Sequence, residues 1–199
     1  MPVSKEQRND PLGDHTFKTR VKQVKRTAKR LRIEKPITKA FITVMKIIHE
    51  SALVNVSMES SVLLFVVLRE MGYDAELIEG RLENAGTGGT SPHAWVLLDR
   101  RIYDIGVATK YPSIQYGAPI FSGVDVDLMK RHINQYRGIR QIDINSQNCI
   151  DGVSIYRYIE RGGRGWQLYK RVFAKLKLRF SIKHLYEEYQ ASARPNQYD

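Results

Sequence analysis

The segment at residues 57–73, SMESSVLLFVVLREMGY, constrains the fold more than any other part of the chain. Its seven consecutive apolar residues at 62–68 are preceded by Ser57, a type that favours helix N-termini, and followed by Gly72, a type that ends helices. The segment is therefore predicted to be a helix. Because such a helix is apolar on nearly every side, it must be covered on most of them, at the centre of one hydrophobic core.

Strands are predicted directly after this helix. Residues 75–83, AELIEGRLE, alternate between apolar and polar types, as a half-buried strand does. After the loop at 84–92, HAWVLL and IYDIG are typical of two strands joined by a DRR turn in a hairpin. Farther along, where prolines and glycines interrupt the pattern, residues 126–138 are predicted as a helix and residues 139–144 as a strand.

Amphipathic helices are predicted on both sides of this central part. Residues 18–33 and 36–53 carry apolar side chains three and four positions apart, and the first of these segments has Lys or Arg at most other positions. Residues 166–190 show the same spacing. These elements predict an α+β protein in which a buried helix packs on a small antiparallel sheet, with basic helices flanking both.

Composition limits the class of protein. The chain has 199 residues, of which 42% are hydrophobic and 27% charged, as in a globular protein. No apolar run reaches the roughly 18 to 20 residues of a membrane-spanning helix, and the polar N-terminus lacks the apolar part of a secretory signal, so we expect a cytoplasmic protein without a transmembrane segment. The single cysteine, Cys149, cannot form an intramolecular disulfide, and the histidines show no ligand spacing. No metal site or cofactor is expected.

The net charge of +11 is concentrated towards the two ends of the chain. Residues 1–35 hold eleven Lys and Arg against four Asp and Glu, and residues 161–186 hold eight against none. We predict a basic N-terminal arm and helix at 1–35, a core domain at 36–160 and a basic helical extension at 161–199. Basic surfaces attract nucleic acid or an acidic protein partner, although a solvated helix face has the same composition.

Three polar residues coincide with the ends of the predicted elements. Ser57 begins the apolar helix, His93 begins the second strand and Asp104 lies on the next strand. A histidine oriented by a carboxylate can activate a nucleophile, and a helix N-terminus stabilises negative charge on that nucleophile. Each residue alone also has a structural interpretation, because serine caps helices, histidine hydrogen-bonds within strands and aspartate caps turns. Together they indicate a site for acyl transfer.

The segments SMESSVLLFVVLREMGYDAELIEGR, HAWV and IYD resemble the transglutaminase-like and papain-like cysteine hydrolases. The start of the helix is also similar to that of the peptidases that mature bacterial lasso peptides, whose Cys-x-x-x-Ser frame falls here on Ser57 and Ser61. The resemblance covers residues 55–106 and does not extend to the basic flanks. It implies a papain-like or transglutaminase-like core with a peptide or protein as substrate.

Roles for individual residues follow from this resemblance. It implies that Ser57 stands at the nucleophile's position, that His93 is the general base and that Asp104 orients the imidazole, with Asp99 as the weaker candidate. The implied reaction is amide cleavage or transamidation through a covalent acyl intermediate.

Further site residues are predicted around this triad. Backbone N–H groups near the helix start are expected to form part of an oxyanion hole, with Asn55, His49 and Trp95 as candidate neighbours. Gly86, Gly88 and Gly89 make the loop before the histidine a candidate mobile segment that contacts the substrate.

The chain departs from the family at the nucleophile, since the family has cysteine where this chain has Ser57. A serine hydroxyl is far less acidic than a thiol of pKa about 8.5, so a site built for a thiolate loses most of its activity on this exchange. Three interpretations stay open: an introduced Cys→Ser change, a natural inactive relative, or a serine nucleophile working with His93. The second corresponds to a transglutaminase-like binding protein that uses its basic helices to hold nucleic acid or an acidic protein. The oligomeric state is left open.

Overall fold

The structure is a computed structural model, and it describes residues 14–53, 56–83, 90–108, 118–142, 153–162 and 165–190. Within these ranges the helices are α1 (Asp14–Leu31), α2 (Lys35–Glu50), α3 (Ser57–Glu70), α4 (Ile155–Arg161), α5 (Gly165–Leu176) and α6 (Ile182–Tyr189). The strands are β1 (Glu76–Glu83), β2 (Thr90–Leu98), β3 (Arg101–Tyr103), β4 (Ile120–Phe121), β5 (Val124–Asp125), β6 (Lys130–Arg131) and β7 (Gln135–Ile142). The chain is a mixed α and β protein with antiparallel sheets, as the sequence predicts. Across the described ranges, every helix is too short or too polar to span a lipid bilayer.

Helix α3 lies at the centre of the fold, as its composition predicts. Its residues from Ser60 to Leu68 are all buried, and it packs against α2, β1 and β2. Gly72 has a φ of 85°, a left-handed conformation that glycine adopts readily just past a helix C-terminus. At the other end Val56 stands at the N-cap position and Ser57 is the first helical residue, so Ser57 is not the helix cap.

The main sheet has the strand order β3-β2-β1-β7, and its neighbouring strands are all antiparallel. Strands β2 and β3 form a tight hairpin whose two turn residues, Asp99 and Arg100, have φ values of 50° and 59°. Positive φ at both turn positions suits the right-handed twist of the flanking strands. Just beyond β3, Asp104 bridges Ile120 of β4, which joins the main sheet to the smaller sheet β4-β5-β6.

One hydrophobic core includes residues from both basic ends of the chain. Val24 and Ala28 of α1 belong to it, and so do Val172 and Phe173 of α5. Helix α2 lies between these ends and the centre, because it contacts α1, α3 and α5. The sequence boundaries at 35 and 160 therefore mark changes in charge, while the buried core continues across both.

Residues 126–138 form β6 and the first part of β7, so the helix predicted there is wrong. The Asp125 carboxylate accepts hydrogen bonds from the backbone N–H groups of Asp127 and Leu128, and these bonds stabilise a turn in place of a helix. Strand β7 then pairs with β1, so the strand predicted at 139–144 begins earlier, at Gln135. Pairing with a distant strand overrides the local helical spacing.

The single helix predicted at 166–190 is also wrong, because the chain forms α5 and α6 with a break between them. Lys177 ends α5 with a φ of 62°, and the Leu178 N–H donates to the Phe173 carbonyl oxygen at 2.9 Å. These features close the helix end in the usual way for a left-handed terminal residue.

Candidate active site

His93 and Asp104 form a buried pair at one end of the β2–β3 hairpin. His93 Nε2 lies 2.6 Å from Asp104 Oδ2, and the side-chain exposure of each residue is 0%. The hairpin produces this contact, because His93 lies in the first half of β2 and Asp104 directly follows β3. Since a carboxylate accepts hydrogen bonds, the contact assigns the imidazole proton to Nε2.

Two further donors hold the Asp104 carboxylate. The Tyr136 hydroxyl on β7 donates to Oδ2 at 2.8 Å, and the Val107 backbone N–H donates to Oδ1 at 3.1 Å. The Asp104 backbone is fixed as well, by two 2.8 Å hydrogen bonds exchanged with Ile120. Asp104 therefore caps the turn that follows it and orients the imidazole of His93 at the same time.

Burial raises the pKa of Tyr136 well above its ordinary value, and the neighbouring Asp104 charge raises that pKa further. The phenol therefore keeps its proton at neutral pH and remains a hydrogen-bond donor to the carboxylate. Tyr136 has a second structural role, since its ring contacts both Trp95 and His93 at centroid distances of 5.0 and 6.2 Å.

The second nitrogen of His93, Nδ1, is buried and has no hydrogen-bond partner among the described residues. A buried polar atom without a partner is uncommon and costs free energy, so its presence in a well-packed region calls for a functional reason. The ring itself is held by Trp95, whose indole lies nearly parallel to it at 6.5 Å between centroids. Trp95 is 3% exposed, so it supports the imidazole from within the core.

Ser57 packs against the segment that follows Asp104. A Cβ atom on Gly106 would fall 2.4 Å from Ser57 Cα and 2.8 Å from Ser57 Cβ, so only glycine permits this approach. Gly106 is two residues after Asp104, and the Ser61 hydroxyl on the next turn of α3 donates to the Ala94 carbonyl oxygen at 2.8 Å. Helix α3 is thus attached to both segments that carry the pair.

Two of the three predicted triad residues, His93 and Asp104, are therefore joined. No hydrogen bond connects the half-buried Ser57 with His93 in the described part of the chain. The imidazole and the carboxylate form a fixed unit, and the start of α3 packs against Gly106, which follows that unit in sequence.

The other predicted site residues have different outcomes. Asp99 is a turn residue of the hairpin, and Asp104 makes the contact with His93. Asn55, the loop glycines at 86, 88 and 89, and Cys149 lie outside the described residues. His49 stacks on Phe17 at 4.6 Å between α1 and α2, where it packs the helices together.

His132 is a further neighbour of the site, through its contact with Tyr136. Its ring packs edge-on against Tyr136 at 5.1 Å, and its Nδ1 lies 3.0 Å from the Asn134 carbonyl oxygen. Burial lowers the pKa of His132, a trend that this backbone carbonyl opposes, so the ring is predominantly neutral at pH 7.

Sequence reasoning missed Tyr136, Val107 and Gly106. Tyr136 gave no signal because its segment has helical spacing, and the importance of Gly106 depends on how closely α3 approaches. The described residues include no cluster of three or more His, Cys, Asp or Glu side chains able to hold a metal ion.

The geometry suits one kind of chemistry. An imidazole fixed by a carboxylate at Nε2 can take a proton at Nδ1 and return it, as a general base and then a general acid. The positive end of the α3 dipole lies at Ser57, where it stabilises developing negative charge. No protein-family model, curated protein or solved structure matches this chain, so its site is interpreted from these contacts and from the sequence motifs that they involve.

Proposed function

We propose that the chain has a papain-like or transglutaminase-like core and that its site performs acyl transfer on a peptide or protein amide. His93 is the general base, Asp104 orients it and Ser57 occupies the nucleophile's position. The observation that carries the proposal is the buried His93–Asp104 contact at Nε2, combined with an Nδ1 atom that has no partner among the residues that the structure describes.

The proton assignment supports this use of His93. With Nε2 donating to Asp104, the lone pair of Nδ1 is free to accept the proton of a nucleophile. As that nucleophile bonds to the carbonyl carbon of the substrate, its proton passes to Nδ1. The amide C–N bond then breaks, the amine leaves with the proton from Nδ1, and an acyl-enzyme remains. Water or a second amine releases the acyl group.

The start of α3 supports the placement of the nucleophile. Ser57 is the first helical residue, so the helix dipole favours an anion at its side chain. A thiol at this position would ionise more readily than a free thiol, whereas a serine hydroxyl stays protonated. We therefore propose that the site is built for a thiolate and that Ser57 stands where such a chain carries cysteine.

The test restores a thiol at position 57. Ser57→Cys is made together with Cys149→Ser, so that the chain has one cysteine, and the rate of alkylation by iodoacetamide is measured against pH. We expect the thiol to react with a pKa below the ordinary value of about 8.5, and we expect His93→Gln to remove that advantage. Incubation with an activated ester should leave an acyl group on position 57, detected by mass spectrometry.

The matched control is Ser181→Cys in the same background. Ser181 stands at the N-terminus of α6 and is partly exposed, as Ser57 is. Its hydroxyl accepts a hydrogen bond from the His184 backbone N–H, and the His184 imidazole pairs with Glu70 at an exposed position, in contrast to the buried His93–Asp104 pair. If the thiols at positions 57 and 181 react with the same pH profile, the helix dipole alone explains both and the acyl-transfer proposal is wrong. The remaining interpretation is then a binding protein without catalytic activity.

A further inference from the structure

The exposed face of α1 is a dense row of cations. Lys22, Lys25, Arg26 and Lys29 are all exposed, and at 100° per residue they lie within an arc of about 100°. They extend along about 10 Å of the helix axis. The segment 18–33, which contains this row, has no acidic residue.

The packing of α1 fixes the direction in which this row points. Val24 and Ala28, on the opposite side of the helix, are buried in the core. Arg20 is anchored by a two-pronged interaction with the Asp127 carboxylate, in which Nε lies 2.8 Å from Oδ1 and Nη2 lies 2.5 Å from Oδ2. The helix is therefore held by both apolar and ionic contacts, and its cationic face is presented to solvent.

Helix α2 extends the positive surface. Lys35, Lys39 and Lys46 are exposed on it. The acid at its end, Glu50, is already surrounded by cations, since Lys46, Arg171 and Lys175 lie 3.6, 2.9 and 3.5 Å from its carboxylate. We give the name basic helical surface to seven of the exposed cations of α1 and α2: Lys22, Lys25, Arg26, Lys29, Lys35, Lys39 and Lys46.

The four cations of the α1 row form no ion pair within the described part of the chain. Some exposed cations elsewhere have an acidic partner, as Arg157 has Glu160 and Lys183 has Glu187. A concentrated, unneutralised positive surface attracts a polyanion, and it does so with strong dependence on salt.

We infer that the basic helical surface binds the phosphate backbone of a DNA duplex without sequence preference. This function is separate from the proposed acyl transfer and uses other residues. The major groove of B-form DNA is about 12 Å wide and admits an α-helix, whereas the deep, narrow major groove of double-stranded RNA does not.

Other polyanions fit the surface less well. A helix that binds a membrane surface needs a free apolar face, but the apolar stripe of α1 is buried. Binding of single strands relies on exposed aromatic rings, and the aromatic residues of α1 and α2, Phe17 and Phe41, are buried. A protein partner would need apolar or aromatic anchors, and the large hydrophobic residues exposed in the described chain lie outside both helices.

The test neutralises the α1 row and compares it with an equal change elsewhere. The first variant combines Lys22→Gln, Lys25→Gln, Arg26→Gln and Lys29→Gln. The control combines Arg81→Gln, Arg137→Gln, Arg157→Gln and Lys183→Gln, which are also exposed. Each variant loses four positive charges, so the net charge falls equally from +11 to 11 − 4 = +7.

Binding to a random-sequence DNA duplex is measured by fluorescence anisotropy from about 50 to 200 mM salt. We expect the α1 variant to lose at least tenfold in affinity at low salt and to show a salt slope shallower by about 3 to 4, because four phosphate contacts are lost. The control variant should keep most of its affinity for the duplex and most of its salt slope. Urea unfolding of the two variants verifies that each remains folded.

Three outcomes would overturn the inference. The first is an unaltered protein that does not bind duplex DNA at low salt. The second is an equal loss in the control variant, which would assign binding to net charge. The third is tighter binding to vesicles rich in phosphatidylserine, to double-stranded RNA or to single-stranded DNA than to the duplex. None of these measurements depends on acyl transfer, so the two proposals fail independently.

Discussion

The ionisable side chains beside α3 and those along α1 have opposite environments. Beside α3, the Asp104 carboxylate is fully buried and accepts hydrogen bonds from Tyr136 and Val107 while it contacts His93. Along α1, the cations are exposed and, apart from Arg20, their charges face solvent.

The difference shows what burial does to an ionisable group. A buried charge is tolerated only when several fixed partners replace water, so it acts through precise geometry. An exposed charge costs little and makes few lasting contacts, so it acts collectively through the field that it creates. The first arrangement suits chemistry on one bond, and the second suits attraction of a large polyanion.

The largest expected effect comes from removing the buried acid. Asp104→Ala leaves the Tyr136 hydroxyl, the Val107 N–H and His93 Nε2 without their acceptor, so we expect a loss of about 3 to 5 kcal/mol in the free energy of unfolding. The control, Asp74→Ala, removes a carboxylate that is 97% exposed and paired with Arg69. Its loss should stay below about 1 kcal/mol. Urea unfolding compares the two, and equal losses would contradict the contrast between buried and exposed charge.

A smaller effect is expected where α1 meets the rest of the fold. Arg20 is the buried member of an ion pair whose other side chain, Asp127, is 38% exposed, so solvent weakens the interaction. Arg20→Met keeps the apolar stem and should cost about 1 to 2 kcal/mol. Lys25→Met, on the exposed face, should change stability by less than about 0.5 kcal/mol. A cost for Arg20→Met as small as that for Lys25→Met would show that α1 is held by its apolar stripe alone.

The smallest expected effect comes from removing a single hydrogen bond to the Asp104 carboxylate. Tyr136→Phe removes the donor to Asp104 Oδ2 and should cost about 1 kcal/mol at pH 7, measured by urea unfolding. Tyr186→Phe serves as the control, because Tyr186 is 44% exposed.

The pH dependence of the same variant gives a second readout. Tyr136 keeps its proton in the folded protein above pH 10, whereas the unfolded chain loses it near the ordinary pKa of 10.0. The folded state then binds more protons, so the free energy of unfolding falls as the pH rises above about 10. Tyr136→Phe should make that fall shallower. An unaltered alkaline slope in Tyr136→Phe would contradict the raised pKa.

Much of the fold is predictable from local sequence. The apolar run of α3, the spacing of α1 and α2 and the alternation of β1 each predict the element that the structure contains. The DRR turn also predicts the β2–β3 hairpin, because a two-residue turn between apolar strands has few alternatives. In each case the signal lies within a few residues of the element itself.

Prediction fails where a distant segment determines the local conformation. The first half of strand β7 carries helical spacing, yet it forms a strand because β1 offers it a complete edge. In the candidate site, too, one contact is predictable from local sequence and another depends on a distant segment. The relation between His93 and Asp104 follows from the hairpin, but the contribution of Tyr136 depends on β7 and leaves no local trace.

The sequence by itself determines that α3 is buried, that a histidine and an aspartate stand on neighbouring strands and that positive charge is concentrated towards both ends of the chain. Residue type and short-range periodicity are sufficient for these properties. Only the tertiary structure decides that Gly106 admits the start of α3 against the segment after Asp104, that Tyr136 holds Asp104 from 32 residues away and that Lys22, Lys25, Arg26 and Lys29 face solvent. These depend on how separate elements pack together, because burial and the distances between side chains are set by the whole fold.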